Sequence, residues 1–317
     1  MGRFPFALAP ALPQMKPTYW SAAQRSLFEG SAFSGIRSGM RSPATRALID
    51  YLNAQIDRIA YGDAGLRSGQ DPIHDTRVAI RRLRSTLRAF AKELDRSEIG
   101  DMDSELKWFA GLLGEVRDCQ VQESRLSEAL DDVPDELILG PVKSRIRNDM
   151  RAVELPARRQ ITDAMDSACY LAIMATLGRW RSYPPVTGVV TTGALRKSAR
   201  RARRKADRRL AAALESGDSG DAAAMLHRAR KAAKRARYAA ELCKLLNKGE
   251  NRKIKHYKHI QTLLGDHQDT AVAADALRRM ALTAGSTPGE NGFTYGMLYA
   301  REQQIARECR QQVGELG

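Results

Sequence analysis

The sequence lacks long apolar runs, closely spaced cysteines and a nucleotide-binding loop. No apolar stretch approaches the roughly 20 residues that cross a bilayer, and the prolines in the first twelve residues do not fit a secretory signal. The four cysteines form no CxxC pair, so we expect reduced thiols rather than a disulfide framework. No GxxxxGK[ST] loop is present to cradle a nucleotide. These absences favour a soluble cytoplasmic protein that is neither a membrane protein nor a P-loop enzyme.

Acidic residues are too few to balance the basic ones. The 317 residues include 52 Lys and Arg against 37 Asp and Glu, which gives a formal net charge of +15. A strongly cationic surface attracts polyanions such as nucleic acid, anionic lipid headgroups or inorganic phosphate chains. Composition alone does not choose among these ligands.

Runs of β-branched residues are almost absent, and from about Pro43 onward the pattern is helical. Residues 1–40 show no steady period and are predicted to form an N-terminal arm. The Pro184-Pro185 break divides the remaining domain, residues 41–317, into halves at about 43–182 and 193–317. A short segment, residues 186–192, is the only candidate strand. The sequence therefore predicts an all-α fold.

The two halves share two motifs in the same order. IHDTRVAIRRLR, which starts at Ile73, matches LHRARKAAKRAR, which starts at Leu226. Later, LLGEVRDCQV from Leu112 matches LLGDHQDTAV from Leu263 at nearly the same separation. Paired motifs in one order indicate an internal duplication. We predict that the two halves are related by a pseudo-twofold axis.

Each copy of the first motif places its cations in one stripe beside the apolar face. At about 100° per residue, the stripe of the first copy falls within an arc of about 80°. No acidic residue lies between Asp75 and Glu93, or between Asp221 and Glu241. Without interspersed acids, like charges along a helix repel one another. We therefore expect two facing stripes that line a groove for an anion, although a solvated basic face is the simpler alternative.

The His–Arg motifs and the paired LLG segments resemble the CHAD family, the conserved histidine α-helical domain, over roughly residues 43–317. The resemblance implies two four-helix repeats around a basic central channel, inorganic polyphosphate as the ligand, and an association with polyphosphate granules. It implies no cofactor, and no tunnel-type triphosphatase activity, because no ExExK motif is visible. The predicted polyphosphate-binding residues are His74, Arg77, Arg81, Arg84, Arg88, Lys107, His227, Arg230, Lys231, Lys234, Arg237 and Lys258. Asp118 and Asp269 are predicted to orient the arginines.

Four other functions stay open from the sequence. The His74-Asp75 pair suggests an HD phosphohydrolase, but no histidine precedes position 74, and phosphotransfer through His74 or His227 is the other enzymatic alternative. Three further histidines (His256, His259 and His267) suggest a metal site, which nearby lysines disfavour. A nucleic-acid-binding protein would satisfy the charge, but Tyr238 is the only aromatic residue near the stripes. We predict no bound metal and no membrane contact, and we make no prediction of the oligomeric state.

Overall fold

The computed structural model describes residues 42–216 and 221–315, apart from the side chain of Lys248. The predicted N-terminal arm over residues 1–40 lies outside this described part. Nine long helices run through it: α1 Pro43–Arg67, α2 Ile73–Ala89, α3 Met102–Asp131, α4 Val142–Met165, α5 Ala168–Ser182, α6 Thr192–Glu215, α7 Ala222–Lys244, α8 Asn251–Gly285 and α9 Phe293–Gly314. A one-turn helix, Arg96–Ile99, and two 3₁₀ turns, Asp135–Leu137 and Lys248–Glu250, complete the helical elements of the described residues.

The predicted all-α fold is confirmed. The candidate strand over residues 186–192 does not form: within the described ranges the only β pairing is an isolated bridge between Leu94 and Val186. Among the described helices, none combines the length and apolar character needed to span a membrane.

Several helices begin where a hydroxyl side chain can accept a free backbone N–H. The Ser42 hydroxyl accepts from the Thr45 amide at 3.0 Å, and the Thr191 hydroxyl accepts from the Ala194 amide at 3.1 Å. Pro43 follows Ser42 at the first position of α1, where a missing N–H costs nothing. These local signals fix the starts of α1 and α6.

The helices before and after the Pro184-Pro185 break pack in the same sequential order. In the first half α1 packs on α2, α2 on α3 and α3 on α4, and in the second α6 packs on α7, α7 on α8 and α8 on α9. The additional helix of the first half, α5, packs on α1, α3 and α4. This shared order supports the predicted internal duplication, which stays a prediction. All nine helices lie in one compact unit, Met40–Gly317.

The buried residues form three clusters, and the first and third of them contain the apolar faces of α2 and α7. The largest contains Ile80, Leu83 and Phe90 from the α2 segment, all fully buried. A third cluster is rich in alanine, including Ala229, Ala233 and Ala236 of α7, with relative exposures of at most 1%. Small side chains let α7 lie close to α6 and α8. The apolar faces predicted beside the basic stripes are therefore the faces turned to the core.

Candidate anion-binding site

The basic stripes of α2 and α7 meet, because these two helices pack directly against each other. The Lys234 ammonium of α7 is close enough to Arg77 and Arg81 of α2, and to Arg230 of its own helix, for each to lower its pKa. Arg81 is likewise influenced by Arg77 and Arg230. We call Arg77, Arg81, Arg230 and Lys234 the central basic cluster. The structure thus brings together cations from both halves of the chain.

Positive charge in the central cluster is only partly compensated. Burial, reinforced by Arg230, Arg81 and Arg77, lowers the pKa of Lys234 to about 7, while Asp269 acts in the opposite direction. Burial also lowers the pKa of Arg81, an effect that its contact with Tyr238 opposes. The buried Nε atoms of Arg81 and Arg230 have no hydrogen-bond partner among the described residues. An anion at the central cluster would stabilise this arrangement by offsetting the repulsion among its cations.

The glycine of each LLG segment lies next to an arginine of a basic stripe: Gly114 next to Arg77, and Gly265 next to Arg230. A Cβ added at Gly114 would lie 3.1 Å from Nη2 of Arg77, and one added at Gly265 would lie 2.9 Å from Nη2 of Arg230. A glycine in the middle of a helix often marks a place where two helices cross closely. Here the atoms nearest to an added Cβ belong instead to a guanidinium group. The same contact recurs in both halves, so each glycine creates the space in which its arginine lies flat against the next helix.

Only one of the two predicted orienting carboxylates forms the predicted pair. Asp118 accepts from Nη1 of Arg77 at 2.8 Å. Asp269 has no ion pair within the described ranges; Nη1 of Arg230 instead donates to Oε1 of Gln268 at 2.8 Å. Burial raises the pKa of Asp269, and Arg230 opposes this without direct contact. Gln268 is therefore the residue that orients Arg230, and the sequence match between Asp118 and Asp269 did not reveal it.

The two motif histidines lie in different surroundings. His227 is half-buried, and its Nδ1 lies 2.9 Å from the same Gln268 Oε1 that accepts from Arg230. His74 is exposed at the start of α2. Partial desolvation and the charge of Arg117 lower the pKa of His74, against the effect of Asp75. A bound polyanion would reverse the effect of the arginines and favour the protonated ring.

A second group of cations continues the site beyond the central cluster. Arg84 and Arg88 of α2 both donate to Asp103, Arg84 through Nε at 3.2 Å and Arg88 through Nε at 2.9 Å. Arg235 of α7 is close to both arginines, and its pKa is lowered by burial, by Arg88 and by Arg209. We call the set the distal basic cluster, and its members are Arg84, Arg88, Lys205, Arg209 and Arg235.

Three members of the distal cluster were not predicted. Arg235 and the α6 residues Lys205 and Arg209 were absent from the predicted set, although Arg235 matches Arg82 in the duplicated motif. The Nε atom of Arg235 is buried and has no partner among the described residues. The usable signal was the dense run of Lys and Arg on α6, but periodicity alone does not show which of its residues turn towards α7.

Arg237 does not extend the stripe as an unpaired cation. Its Nε donates to Oε1 of Glu241 at 2.9 Å and its Nη1 donates to Gln261 at 3.1 Å. Glu241 also accepts from Nε of Arg82 and from the hydroxyl of Tyr51, each at 3.2 Å. This carboxylate therefore ties α7 to α1 and α2, and the polyphosphate contact of Arg237 stays a prediction.

The remaining predicted lysines lie on the outer faces of their helices. Lys107, Lys231 and Lys258 are all exposed. Two cations of α4 are paired with carboxylates: Lys143 lies 3.3 Å from Asp131, and Arg158 lies 2.8 Å from Asp71. Across the described ranges, no three His, Cys, Asp or Glu side chains are grouped so as to hold a metal ion.

The fold and the site define a helical protein with a half-buried polycationic surface shared by two helices from different halves of the chain. The sequence matches the CHAD domain family over residues 50–278. The chain belongs to the CHAD domain family.

Two bacterial proteins are similar to this chain in sequence. The chain is 32% identical over 275 residues to two Mycobacterium tuberculosis proteins, "Uncharacterized protein MT2285" (strain CDC 1551 / Oshkosh) and "Uncharacterized protein Rv2226" (strain ATCC 25618 / H37Rv). The match covers 83% of this chain and 50% of each relative, so the chain spans about half the length of these proteins.

Two solved structures share the fold. PptA from Streptomyces chartreusis superposes with a TM-score of 0.69 at 24% identity and covers 87% of this chain and 99% of its own. The CHAD domain from the plant Ricinus communis superposes with a TM-score of 0.62 at 23% identity, over 88% and 95% respectively.

Proposed function

We propose that the protein binds inorganic polyphosphate along the central and distal basic clusters and catalyses no reaction there. The observation that carries this proposal is the meeting of Arg77 and Arg81 with Arg230 and Lys234 across α2 and α7, with the buried Nε atoms of Arg81 and Arg230 unpartnered. Such a cluster stores repulsion in the free protein. A ligand with many negative charges along its length would relieve it.

A linear phosphate chain fits this surface better than a nucleic acid does. Arginine forks bind phosphate oxygens in pairs, and a repeating anion matches cations repeated along α2. Base recognition needs exposed aromatic faces. Tyr238 is buried, and the guanidinium groups of Arg82 and Arg237 both lie 5.5 Å from its ring centroid. This aromatic residue beside the site is thus unavailable for stacking on a base.

The histidines support ligand binding rather than phosphotransfer. A nucleophilic or basic histidine is usually oriented by a carboxylate, and no described hydrogen bond joins His74 or His227 to one. His227 contacts the amide oxygen of Gln268 instead. We assign both histidines to the edge of the anion site, and we propose a cytoplasmic protein associated with polyphosphate granules.

A competition experiment tests the ligand. Long-chain polyphosphate should bind tightly, should lose affinity steeply as salt rises, and should displace single- and double-stranded DNA of equal total charge. A result in which DNA displaces polyphosphate would mean that the protein is a nucleic-acid binder.

A double variant tests the site. Arg77→Ala with Arg230→Ala should lower polyphosphate affinity roughly 100-fold, because each arginine supplies charge-assisted hydrogen bonds. The matched control is Arg278→Ala with Arg279→Ala, which removes the same charge from exposed positions of α8. Circular dichroism and thermal melting establish that both variants fold. Wild-type affinity in the folded Arg77/Arg230 variant would place the ligand elsewhere.

A further inference from the structure

A separate basic cavity of about 360 Å³ lies where the first half of α6 meets the end of α7 and the start of α8. Five cations line it: Arg196, Lys197, Arg200, Arg203 and Lys253. None of them belongs to the central or the distal cluster. The cavity is therefore a site that the proposed polyphosphate path does not use.

One buried carboxylate organises two of these cations. Glu250 is 6% exposed, and its oxygens accept from Nζ of Lys253 at 2.7 Å and from Nη1 of Arg203 at 3.4 Å. This pairing fixes Arg203 and Lys253 at the wall of the cavity. The positive charge of the lining nevertheless far exceeds the single negative charge of Glu250.

The other three cations have no counterion. Arg196, Lys197 and Arg200 are exposed, and none has an ion pair within the described parts of the chain. Arg196 and Arg200 are four residues apart and so share a face of α6. The helix has no acidic residue before Asp207. Three unpaired cations beside two fixed ones form a concave anion site.

The lining indicates which anion the cavity accepts. A volume of about 360 Å³ is near the lower end for small-molecule sites, which run from about 300 to 1,000 Å³, so it suits a compact ligand rather than the middle of a long chain. Cys243 and Asn247 also line it, and no aromatic side chain does. Recognition is therefore directed to phosphates and not to a base.

We infer that this cavity binds the terminal di- or triphosphate group of a small molecule, with Arg196, Lys197 and Arg200 contacting the phosphate oxygens. The same group is present in free inorganic triphosphate and in a nucleoside triphosphate. Because the base would find no stacking partner, inorganic triphosphate should bind at least as tightly as ATP.

Lysine footprinting locates this binding in the full-length protein. Lys197 and Lys253 line the cavity, so inorganic triphosphate should protect both from acetylation, as measured by peptide mass spectrometry, whereas the exposed Lys255 should react equally with and without it. The protection should persist in the Arg77→Ala/Arg230→Ala variant. Equal acetylation of Lys197 and Lys253 with and without saturating triphosphate would overturn the inference.

Calorimetry on variants provides the second measurement, made in the Arg77→Ala/Arg230→Ala background so that binding at the central cluster does not contribute. Adding Arg196→Ala with Arg200→Ala should weaken triphosphate binding by about tenfold or more, while adding Arg278→Ala with Arg279→Ala should not. Equal losses in both would show only a general effect of net charge and would also overturn the inference. If ATP binds as tightly as triphosphate, the site accepts a nucleotide tail; if ATP binds more weakly, the site prefers inorganic triphosphate. Both results support a terminal-phosphate site, whereas tighter binding of ATP would contradict it.

These outcomes are independent of the proposed function. Protection of Lys197 and Lys253 by triphosphate, together with no binding of long polyphosphate, would support the second site and contradict the first. The reverse pattern would support the proposed polyphosphate binding and contradict the second site.

Discussion

At the residue scale, the glycines beside Arg77 and Arg230 lower the stability of their helices but leave room for the two arginines that we propose bind the ligand. A glycine inside a helix costs about 0.5–1 kcal/mol relative to alanine, and both Gly114 and Gly265 lie inside long helices. In return, the guanidinium groups of Arg77 and Arg230 lie against bare backbone. A side chain at either position has to displace the arginine, whose flexible end yields more readily than the backbone.

Replacing these glycines should therefore separate stability from affinity. Gly114→Ala with Gly265→Ala should not lower the free energy of unfolding, measured in urea, and should lower polyphosphate affinity about tenfold by moving the two arginines. The control is Gly111→Ala on the same helix as Gly114, because a Cβ there meets nothing within 4 Å. That variant should gain up to about 1 kcal/mol and keep its affinity. Unchanged affinity in the Gly114/Gly265 variant would mean that the arginine positions do not matter.

The lowered pKa of Lys234 has a consequence for stability at different pH. Its folded-state pKa of about 7 lies below the ordinary value of 10.5, so between these values the unfolded chain binds more protons than the folded one. The destabilising effect of Lys234 is thus complete below pH 7 and fades as the pH rises towards 10.5. Lys234→Met should stabilise the protein most at pH 6, and this advantage should shrink by pH 10 in urea unfolding curves. A constant difference across that range would contradict the assignment.

The same group should take up a proton when the ligand binds. A polyanion beside Lys234 favours the charged ammonium, so calorimetric titrations at pH 8 in buffers of different ionisation enthalpy should reveal proton uptake. The uptake should fall in Lys234→Met and persist in Lys231→Met, since Lys231 is exposed on the same helix.

At the scale of helices, the fold was largely predictable from the sequence. The side-chain contacts of the two basic stripes were predictable only in part. The helical period of the apolar residues was enough to predict an all-α chain, and the Pro184-Pro185 break was enough to predict its two halves. Both are features of residues close together in the sequence. Which cations lie unpaired depends on carboxylates contributed by other helices. Asp103 on α3 engages Arg84 and Arg88, and Glu241 engages Arg82 and Arg237, and no spacing within one helix reveals such partners.

Glu241 is the clearest link between the helices that carry the site. It joins α7 to α2 through Arg82 and to α1 through Tyr51, and it is 17% exposed. Glu241→Gln should lower the free energy of unfolding by about 2 kcal/mol, because it leaves two half-buried arginines without a carboxylate. Glu308→Gln, at an exposed position of α9, should change it by less than about 0.5 kcal/mol. Equal urea curves for the two variants would show that α2 and α7 are held together by their apolar faces alone.

At the scale of the whole molecule, the two clusters define the length of ligand that the protein can engage. Arg77 in the central cluster and Arg88 in the distal cluster are eleven residues apart on α2, which corresponds to roughly 16 Å at 1.5 Å per residue. Arg235, Lys205 and Arg209 extend the distal cluster onto α7 and α6. A ligand of a few phosphates reaches one cluster, whereas a long chain bridges both.

Affinity should therefore depend on chain length in a way that the distal cluster controls. Lys205→Ala with Arg209→Ala should weaken the binding of long-chain polyphosphate about tenfold and flatten its salt dependence, while the affinity for a short oligomer bound at the central cluster should stay unchanged. Arg278→Ala with Arg279→Ala, which removes the same charge outside the path, should leave both affinities unchanged. The comparison separates a continuous path from general attraction, because attraction to net charge would weaken with either pair of substitutions. If the distal variant binds long and short chains with the same proportional loss, the two clusters do not act on one ligand, and the path along α2 is wrong.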